Sequence, residues 1–140
     1  MKKMLALAGI LIAVHALAAD PAADAVTKGR AAVDVWLTLT DAGRYGESWD
    51  AGASVFRSAL ARAAWEKAMN DARKPLGAVK SRKLKSATFS TSIPQAPPGE
   101  YVIVQYDTVF DGLQGAVETV SAMHEKDGSW KAAGYFIRPS

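Results

Sequence analysis

The sequence contains no cysteine, and this absence excludes several kinds of site at once. Without a thiol the chain can form no disulfide, no thiolate metal site and no cysteine nucleophile. Histidine is scarce as well, with two residues in the whole chain. Because zinc usually takes several histidine or cysteine ligands, a zinc centre is disfavoured too. The stability of the fold must therefore come from packing.

The N-terminus has no acidic residue before Asp20, and its pattern is typical of an export signal. A short basic start is followed by an apolar run from Met4 to Val14, which is too short to span a bilayer comfortably. Ala16-Leu17-Ala18 then offers the small residues that signal peptidase recognises. We predict a signal peptide over residues 1–18, cleaved after Ala18, and a periplasmic or secreted protein. The alternative is an uncleaved anchor helix, which the polar Asp20-Pro21 disfavours.

No excess of one charge dominates the remaining chain. The formal net charge is +3, and Lys2 and Lys3 of the predicted leader account for two of these charges. The excess of +1 that remains does not indicate a nucleic-acid partner. We therefore expect no nucleic acid, and no stable membrane insertion after cleavage.

Residues 19–140 are enough for one domain with a real core. The first half is rich in alanine at helical spacing, and the second half is rich in β-branched and aromatic residues. Helices followed by strands indicate an α+β fold and not alternating βαβ units. A linker-like piece, Pro94 to Gly99, interrupts the second half.

Three helices are predicted in the first half. The first has apolar or small residues on one face, and Gly43 fits the left-handed position after its C-terminus. The second is short and is bounded by glycine. The third has Phe56, Leu60 and alanines recurring every four residues, which suggests close packing along that stripe. The predicted spans are Ala22–Ala42, Tyr45–Asp50 and Ser54–Ala72.

Four strands are predicted in the second half, at Val79–Ile93, Tyr101–Phe110, Ala116–Glu125 and Trp130–Arg138. Short connections, such as the Asp127-Gly128 hairpin signal, make consecutive strands antiparallel neighbours. The expected architecture is three helices packed on a twisted four-stranded antiparallel sheet, in a cystatin-like or nuclear transport factor 2-like cone. Tyr101, Ile103 and Val109 alternate with the predicted core residues, and an apolar patch there suggests a homodimer through the outer sheet face.

The segment from Arg73 to Gly77 connects the helical half to the sheet. Pro75 cannot continue a helix, and Gly77 allows a sharp turn with positive φ. Arg73 stands where positive charge complements a helix C-terminus. We expect Arg73 to be partly buried, to hydrogen-bond backbone or a carboxylate, and to hold the helix end to the sheet.

Several of these residues also carry a family resemblance. The pattern comprises Asp41-x-Gly43-x-Tyr45-x-x-Ser48-Trp49, Phe56, Trp65, Arg73-x-Pro75-Leu76-Gly77, Arg82, the Tyr101–Thr108 strand, Glu118-Thr119-Val120 and Trp130-x-x-x-Gly134-Tyr135-x-Ile137. It resembles the uncharacterised bacterial family known as domain of unknown function 4019, over nearly the whole mature chain. The chain departs from the pattern at Gln95, where relatives more often have glycine. The resemblance implies an envelope location and a fold, but no reaction.

Residues that commonly perform chemistry are few. His124 is the one histidine after the leader, and it stands beside a predicted turn, so we interpret it as a surface residue and not as a general base. Asp107, Asp111 and Glu118 could gather at one end of the sheet, but they lack the spacing of a calcium loop. We therefore assign no catalytic residue, no cofactor and no metal ligand.

Basic residues are concentrated on the first predicted strand, at Lys80, Arg82, Lys83 and Lys85. We interpret them as a solvated edge that lysines protect from aggregation. An anion-binding strip is the alternative.

Aromatic residues have two interpretations. In a small domain, large rings usually fill the core. The alternative is a pocket between the helices and the sheet, with charged residues as polar points. Because Arg and Glu are rarely buried unless paired, an Arg–Glu pair there could hold a ligand or lock the fold. The positions that would line this pocket, or that belong to the family pattern, are Tyr45, Trp49, Trp65, Arg73, Arg82, Tyr106 and Glu118.

Two function hypotheses follow. The first is a small non-catalytic binding or interaction module of the envelope, whose partner is an unknown small ligand or envelope protein. The second is a nuclear transport factor 2-like enzyme, in which a pocket carboxylate and a tyrosine perform acid–base chemistry on a small apolar substrate. We favour the first. An open pocket around an unpaired buried carboxylate would favour the second.

Overall fold

The computed structural model describes residues 20–140. The predicted signal peptide and its cleavage site lie outside the described residues. The fold is α+β, as predicted, with a four-stranded antiparallel sheet. The elements are α1 (Pro21–Asp41), α2 (Tyr45–Asp50), α3 (Ser54–Ala59), α4 (Arg62–Ala72), a 3₁₀ turn (Lys74–Leu76), β1 (Val79–Ser90), β2 (Tyr101–Phe110), β3 (Leu113–His124) and β4 (Trp130–Pro139).

Helix α1 begins and ends with local capping. The Asp20 side chain accepts a hydrogen bond from the Ala22 N–H at 3.0 Å. At the other end Gly43 has φ = 72°, and the Arg44 N–H donates to the Leu39 carbonyl at 2.9 Å. This bond pattern is the Schellman motif, which needs a left-handed residue at the position that glycine holds. The predicted cap is therefore confirmed. Within residues 20–140 no helix is both long and apolar enough to cross a membrane.

The prediction of three helices was wrong, because the third predicted helix is divided into α3 and α4. Leu60 is extended, with φ = −143° and ψ = 127°, and its carbonyl accepts a hydrogen bond from Trp49 Nε1 at 2.7 Å. In a continuous helix that carbonyl would bond the N–H four residues later. The predicted alanine stripe of α4 is exposed, and Trp65 and Met69 carry its buried face instead.

The sheet is a meander in the order β1-β2-β3-β4. Strand β1 ends three residues earlier than predicted, and β3 begins three residues earlier because Leu113 already pairs with Phe110. Register shifts in β1, between Val79 and Ser81 and between Leu84 and Ser86, mark bulges. A bulge inserts one extra residue and so changes which side chains face each side of the sheet.

The core lies between the helices and one sheet face, which we call the inner face. Helix α1 contacts all four strands. This space is filled by three tryptophan or tyrosine rings from the helices and by alternate side chains of β2. The buried core cluster comprises Ala25, Val33, Trp36, Leu37, Tyr45, Trp65, Met69, Val102, Val104, Tyr106, Val120, Ala122 and Ala132.

The opposite side of the sheet, the outer face, differs from the expectation at one end. Tyr101 was expected to be exposed there, but it is 2% exposed. The loop after β1 covers it, and the Tyr101 hydroxyl donates to the Pro97 carbonyl at 2.6 Å. The large apolar residue that is exposed on this face is Phe136, at 71%.

Candidate functional site

Four charged side chains meet where α1, α4, β1 and β3 come together. Asp41 ends α1, Arg73 follows α4, Arg82 lies on β1, and Glu118 lies on the inner face of β3. We call these four residues the buried charge cluster. Two carboxylates face two guanidinium groups, so the formal charges of the cluster balance.

Glu118 is the most deeply buried member, with 0% of its surface exposed. One carboxylate oxygen, Oε1, accepts from Arg82 Nε at 2.8 Å and from the Thr108 hydroxyl at 2.6 Å. The other, Oε2, accepts from the Tyr135 hydroxyl. A buried carboxylate is costly unless it is paired and hydrogen-bonded, and here both oxygens have partners.

Arg82 joins the two carboxylates. Its Nη1 and Nη2 atoms donate to the two oxygens of Asp41 at 2.8 and 2.9 Å, while Nε donates to Glu118. The guanidinium carbon also lies 5.9 Å from the centre of the Tyr106 ring. Burial by itself would lower the pKa of Arg82, but the hydrogen bonds to Asp41 and Glu118 raise it. Arg82 therefore stays charged under all ordinary conditions.

Arg73 is more buried than expected, with 3% of its surface exposed. It hydrogen-bonds Asp41 through Nη2, and Nη1 lies 3.3 Å from the Thr40 hydroxyl. The guanidinium carbon stacks 4.9 Å from the centre of the Phe110 ring. The carboxylate partner of Arg73 is thus Asp41 and not Glu118. The expected role, tying the end of α4 to the body of the fold, fits these contacts.

Asp41 in the cluster and Tyr135 beside it also have shifted pKa values. Burial by itself would raise the pKa of Asp41, but hydrogen bonds from Arg82 and Arg73 hold it below its ordinary value. Burial raises the pKa of the Tyr135 phenol, and the neighbouring Glu118 carboxylate raises it further. Asp41 is consequently ionised and Tyr135 is neutral at physiological pH.

The predicted pocket positions divide into two groups. Arg73, Arg82 and Glu118 come together in or beside the cluster, with Tyr106 under Arg82 and Tyr45 lining a shallow depression of about 310 Å³ beside Asp41. Trp49 and Trp65 lie outside the buried charge cluster. Their indole N–H groups donate hydrogen bonds to other residues of the helical half. Trp65 donates to the Ser48 hydroxyl at 2.9 Å, and Trp49 donates to Leu60.

Three other sequence interpretations have clear outcomes. Asp107 and Asp111 do not gather with Glu118, because Asp107 lies on the outer face and Asp111 pairs with Lys80 at 3.5 Å. Arg82 is not part of a solvated edge, because it points inward. His124 is partly exposed, stacks on the Trp130 ring at 4.8 Å and lies 3.0 Å from Glu100.

Asp41, Thr108 and Tyr135 belong to the cluster or its hydrogen bonds but were not among the predicted positions. Asp41 and Tyr135 did stand in the quoted family pattern. Thr108 could have been found by alternation, since it stands between Tyr106 and Phe110 on an otherwise apolar inner face. A polar residue at such a position indicates a buried hydrogen-bond partner. Within residues 20–140, no three histidine, aspartate or glutamate residues group as metal ligands.

Comparison with known proteins gives one family. A model described as "Protein of unknown function (DUF4019)" matches residues 32–135, from the middle of α1 into β4. This range contains every member of the buried charge cluster. No curated protein matches the chain.

Proposed function

The chain belongs to the DUF4019 family of proteins of unknown function, and from the geometry of its site we propose that it is a small non-catalytic binding or interaction module of the bacterial envelope. One observation carries this proposal, namely that both oxygens of the buried Glu118 carboxylate are already bonded within the fold. A general acid or base must come within hydrogen-bond reach of the substrate proton it transfers. Complete burial and the hydrogen bonds from Arg82, Thr108 and Tyr135 keep Glu118 out of reach of such a proton.

The filling of the core supports the same proposal. Tyr106, Val120 and the tryptophans occupy the space between the helices and the inner face. The depression beside the cluster is lined by Asp41 and Arg73 and does not include Glu118. A ligand bound there would contact the edge of an ion-pair network whose charges balance. Such a network fits a role in stabilising the fold better than a role in catalysis.

The alternative, a nuclear transport factor 2-like acid–base enzyme, would use Glu118 and Tyr135 on a small apolar substrate. It would require their hydrogen bond to open and a cavity to form above them. The raised pKa of Tyr135 makes the phenol a poor proton donor near neutral pH. These points favour the non-catalytic module.

An apolar depression on the far side of the molecule supports an interaction role. It measures about 370 Å³ and lies between Phe136 and the loop after β1. Its lining includes Val55, Phe56, Pro94, Pro97 and Tyr101. An exposed apolar depression beside an exposed aromatic ring offers a contact surface for a partner or ligand.

Location and fold family belong to the same proposal. The apolar run and the Ala16-Leu17-Ala18 site support export, with a mature chain that starts at Ala19. A long helix α1 that contacts all four strands of a meander supports a cystatin-like or nuclear transport factor 2-like arrangement, with a filled cone in place of an open one.

Nuclear magnetic resonance mapping with a fragment library tests the proposed function. We expect fragments to shift the amide signals of Gly134 and Phe136 and to leave those of Arg82 and Glu118 unchanged. Glu118→Gln keeps the shape of the side chain and removes its charge, so it should leave fragment binding intact. A fragment that binds at Glu118 and is chemically converted by the parent but not by Glu118→Gln would overturn the proposal.

A further inference from the structure

The outer face of β4 carries a projecting ring next to an empty space. Phe136 projects from this face and is 71% exposed. Gly134 lies two residues earlier on the same face, where the pairings of Ser121 with Gly134 and Thr119 with Phe136 place both positions. A Cβ atom built on Gly134 would meet no atom within 4 Å. We call these two features the Phe136 knob and the Gly134 hollow.

The hollow has firm apolar walls. Phe136, the loop from Ile93 to Pro97 and three residues of α3, namely Val55, Phe56 and Ala59, line it. The Tyr101 hydroxyl holds this loop through the Pro97 carbonyl. Gln95 keeps a positive φ of 66°, a conformation that costs a non-glycine residue energy. Such strain often persists where a loop shapes a contact site.

We propose that a second copy of this chain occupies the hollow, so that the protein forms a twofold dimer through the outer faces of its sheets. Phe136 and Gly134 are separated by about 6.6 Å along the strand. A twofold axis parallel to the sheets, perpendicular to β4 and passing over residue 135 would bring Phe136 of the partner subunit onto Gly134, and the reverse contact would form by symmetry. Knob and hollow are thus self-complementary, as an isologous interface requires. The inference rests on the proposed interaction role and names its partner.

Charge favours association through the face and not through the edges of the sheet. Strand β1 carries Lys80, Lys83 and Lys85 along one edge, and β4 carries Lys131 and Arg138 along the other, with Lys83, Lys131 and Arg138 at the two ends of the outer face. Pairing either edge with a copy would bring like charges together, which is unfavourable.

The middle of the outer face is neutral and can be covered. The Ser86 hydroxyl donates to Gln105 Oε1 at 3.3 Å, and Gln105 Nε2 donates to the Thr119 hydroxyl at 3.2 Å. Because these polar groups satisfy one another, covering them leaves fewer unpaired donors. Four strands about 4.8 Å apart and about ten residues long give an outer face of at most roughly 600 Å², part of which the loop after β1 covers. Stable complexes bury about 800 Å² per partner, so we expect a weak dimer with a micromolar dissociation constant.

Sedimentation equilibrium over a micromolar-to-millimolar concentration series measures this constant. Phe136→Ala removes both knobs of the dimer and should weaken it about a thousandfold, because each lost aromatic anchor costs about thirtyfold. Gly134→Val fills the hollow and should prevent dimerisation, while the free space around Gly134 lets the monomer fold. Val35→Ala is the matched control, because Val35 is 69% exposed but lies on α1. It should leave the dissociation constant unchanged.

Mixing the two variants tests the geometry itself. Phe136→Ala retains an open hollow and Gly134→Val retains a knob, so one of the two contacts can form between them. We expect a mixed dimer that is weaker than the parent dimer but stronger than either variant alone. Absence of the mixed dimer, a parent that is monomeric throughout, or equal weakening by Val35→Ala would each overturn the inference.

The dimer and the proposed function can fail separately. A monomeric parent would leave the proposed function intact if fragments still bound at Gly134. Conversion of a ligand at Glu118 would overturn that function whatever the association state.

Discussion

Arg82 and Arg73 perform different tasks, although both lie against Asp41. Arg82 neutralises two carboxylates, one of which, Glu118, is shielded completely from water. Arg73 carries the end of α4 and contacts the side chains of α1 and β2 through Asp41, Thr40 and Phe110. Because removing one partner of a buried pair strands the other, each arginine is worth far more than a surface charge.

Arg73→Ala should lower the free energy of unfolding by about 3 to 5 kcal/mol, because Asp41 loses one of its two guanidinium partners and the packing of the buried side chain on Phe110 is lost as well. Urea denaturation followed by tryptophan fluorescence measures this change. Arg44→Ala is the control, since Arg44 pairs with Glu47 on the exposed surface of α2 and should cost about 0.5 kcal/mol. Similar losses for both variants would contradict the burial argument.

Asp41 should make stability depend on acid pH. Its pKa is lowered in the folded protein from a reference value of 3.8, so the unfolded chain binds its proton first as the pH falls. The contribution of Asp41 is therefore present above about pH 4 and is lost as the pH falls through the folded pKa. In Asp41→Asn, the decline of unfolding free energy below about pH 4 should be shallower than in the parent. Denaturant melts between neutral and acid pH measure it, with Asp24→Asn, at the exposed pair with Lys28, as control.

At the scale of elements, the two helix ends near the cluster are made differently. Helix α1 ends by a local motif that depends on Gly43 alone. Helix α4 ends at Ala72 and continues into the 3₁₀ turn, after which Gly77 turns the chain into β1 with φ = 73° and ψ = −158°. The turn is fixed to the sheet, because the Gly112 N–H donates to the Leu76 carbonyl at 2.7 Å.

Gly77→Val should lower the free energy of unfolding by about 1 to 3 kcal/mol, because a β-branched residue at positive φ is strained. The new Cβ would also lie 3.1 Å from the Asp111 Cβ. Thermal and urea melts of dilute protein measure the loss. Gly134→Ala provides the comparison, since the backbone there is ordinary and the space is free. A Gly77→Val variant as stable as the parent would show that the turn tolerates a side chain.

At the scale of the whole molecule, we propose separate roles for the two faces of the sheet. The inner face supports α1 and ends in the buried charge cluster, in which two guanidinium groups balance two carboxylates. The outer face carries a neutral polar centre and the Phe136 knob. Stability and interaction can therefore change independently, because no residue of the cluster lies on the outer face.

The intact mass of protein extracted from the cell envelope tests the predicted processing. We expect a chain that starts at Ala19, because Ala16-Leu17-Ala18 fits the cleavage pattern. Replacing Ala18 with a bulky residue, Ala18→Phe, should leave the leader attached and keep the protein at the membrane. A parent protein whose mass includes residues 1–18 would contradict both the cleavage and the assigned location.

Local patterns in the sequence determined much of the fold. The bounds of α2 and β2, the strand order and the positive φ at Gly43 and Gly77 all follow from neighbouring residues. Helix periodicity, alternation and short connections act within a few positions, so they can be read without a fold.

The tertiary structure decided the rest. The break at Leu60 depends on an indole N–H supplied by Trp49, eleven residues away in the chain. The inward position of Arg82 depends on the bulge at the start of β1, which shifts the alternation by one residue. Its burial is favourable because Asp41 and Glu118 arrive from α1 and β3. An unpaired charged side chain is more stable in water than in the protein interior. Only the tertiary structure brings Asp41 and Glu118 close enough to Arg82 to make its burial favourable.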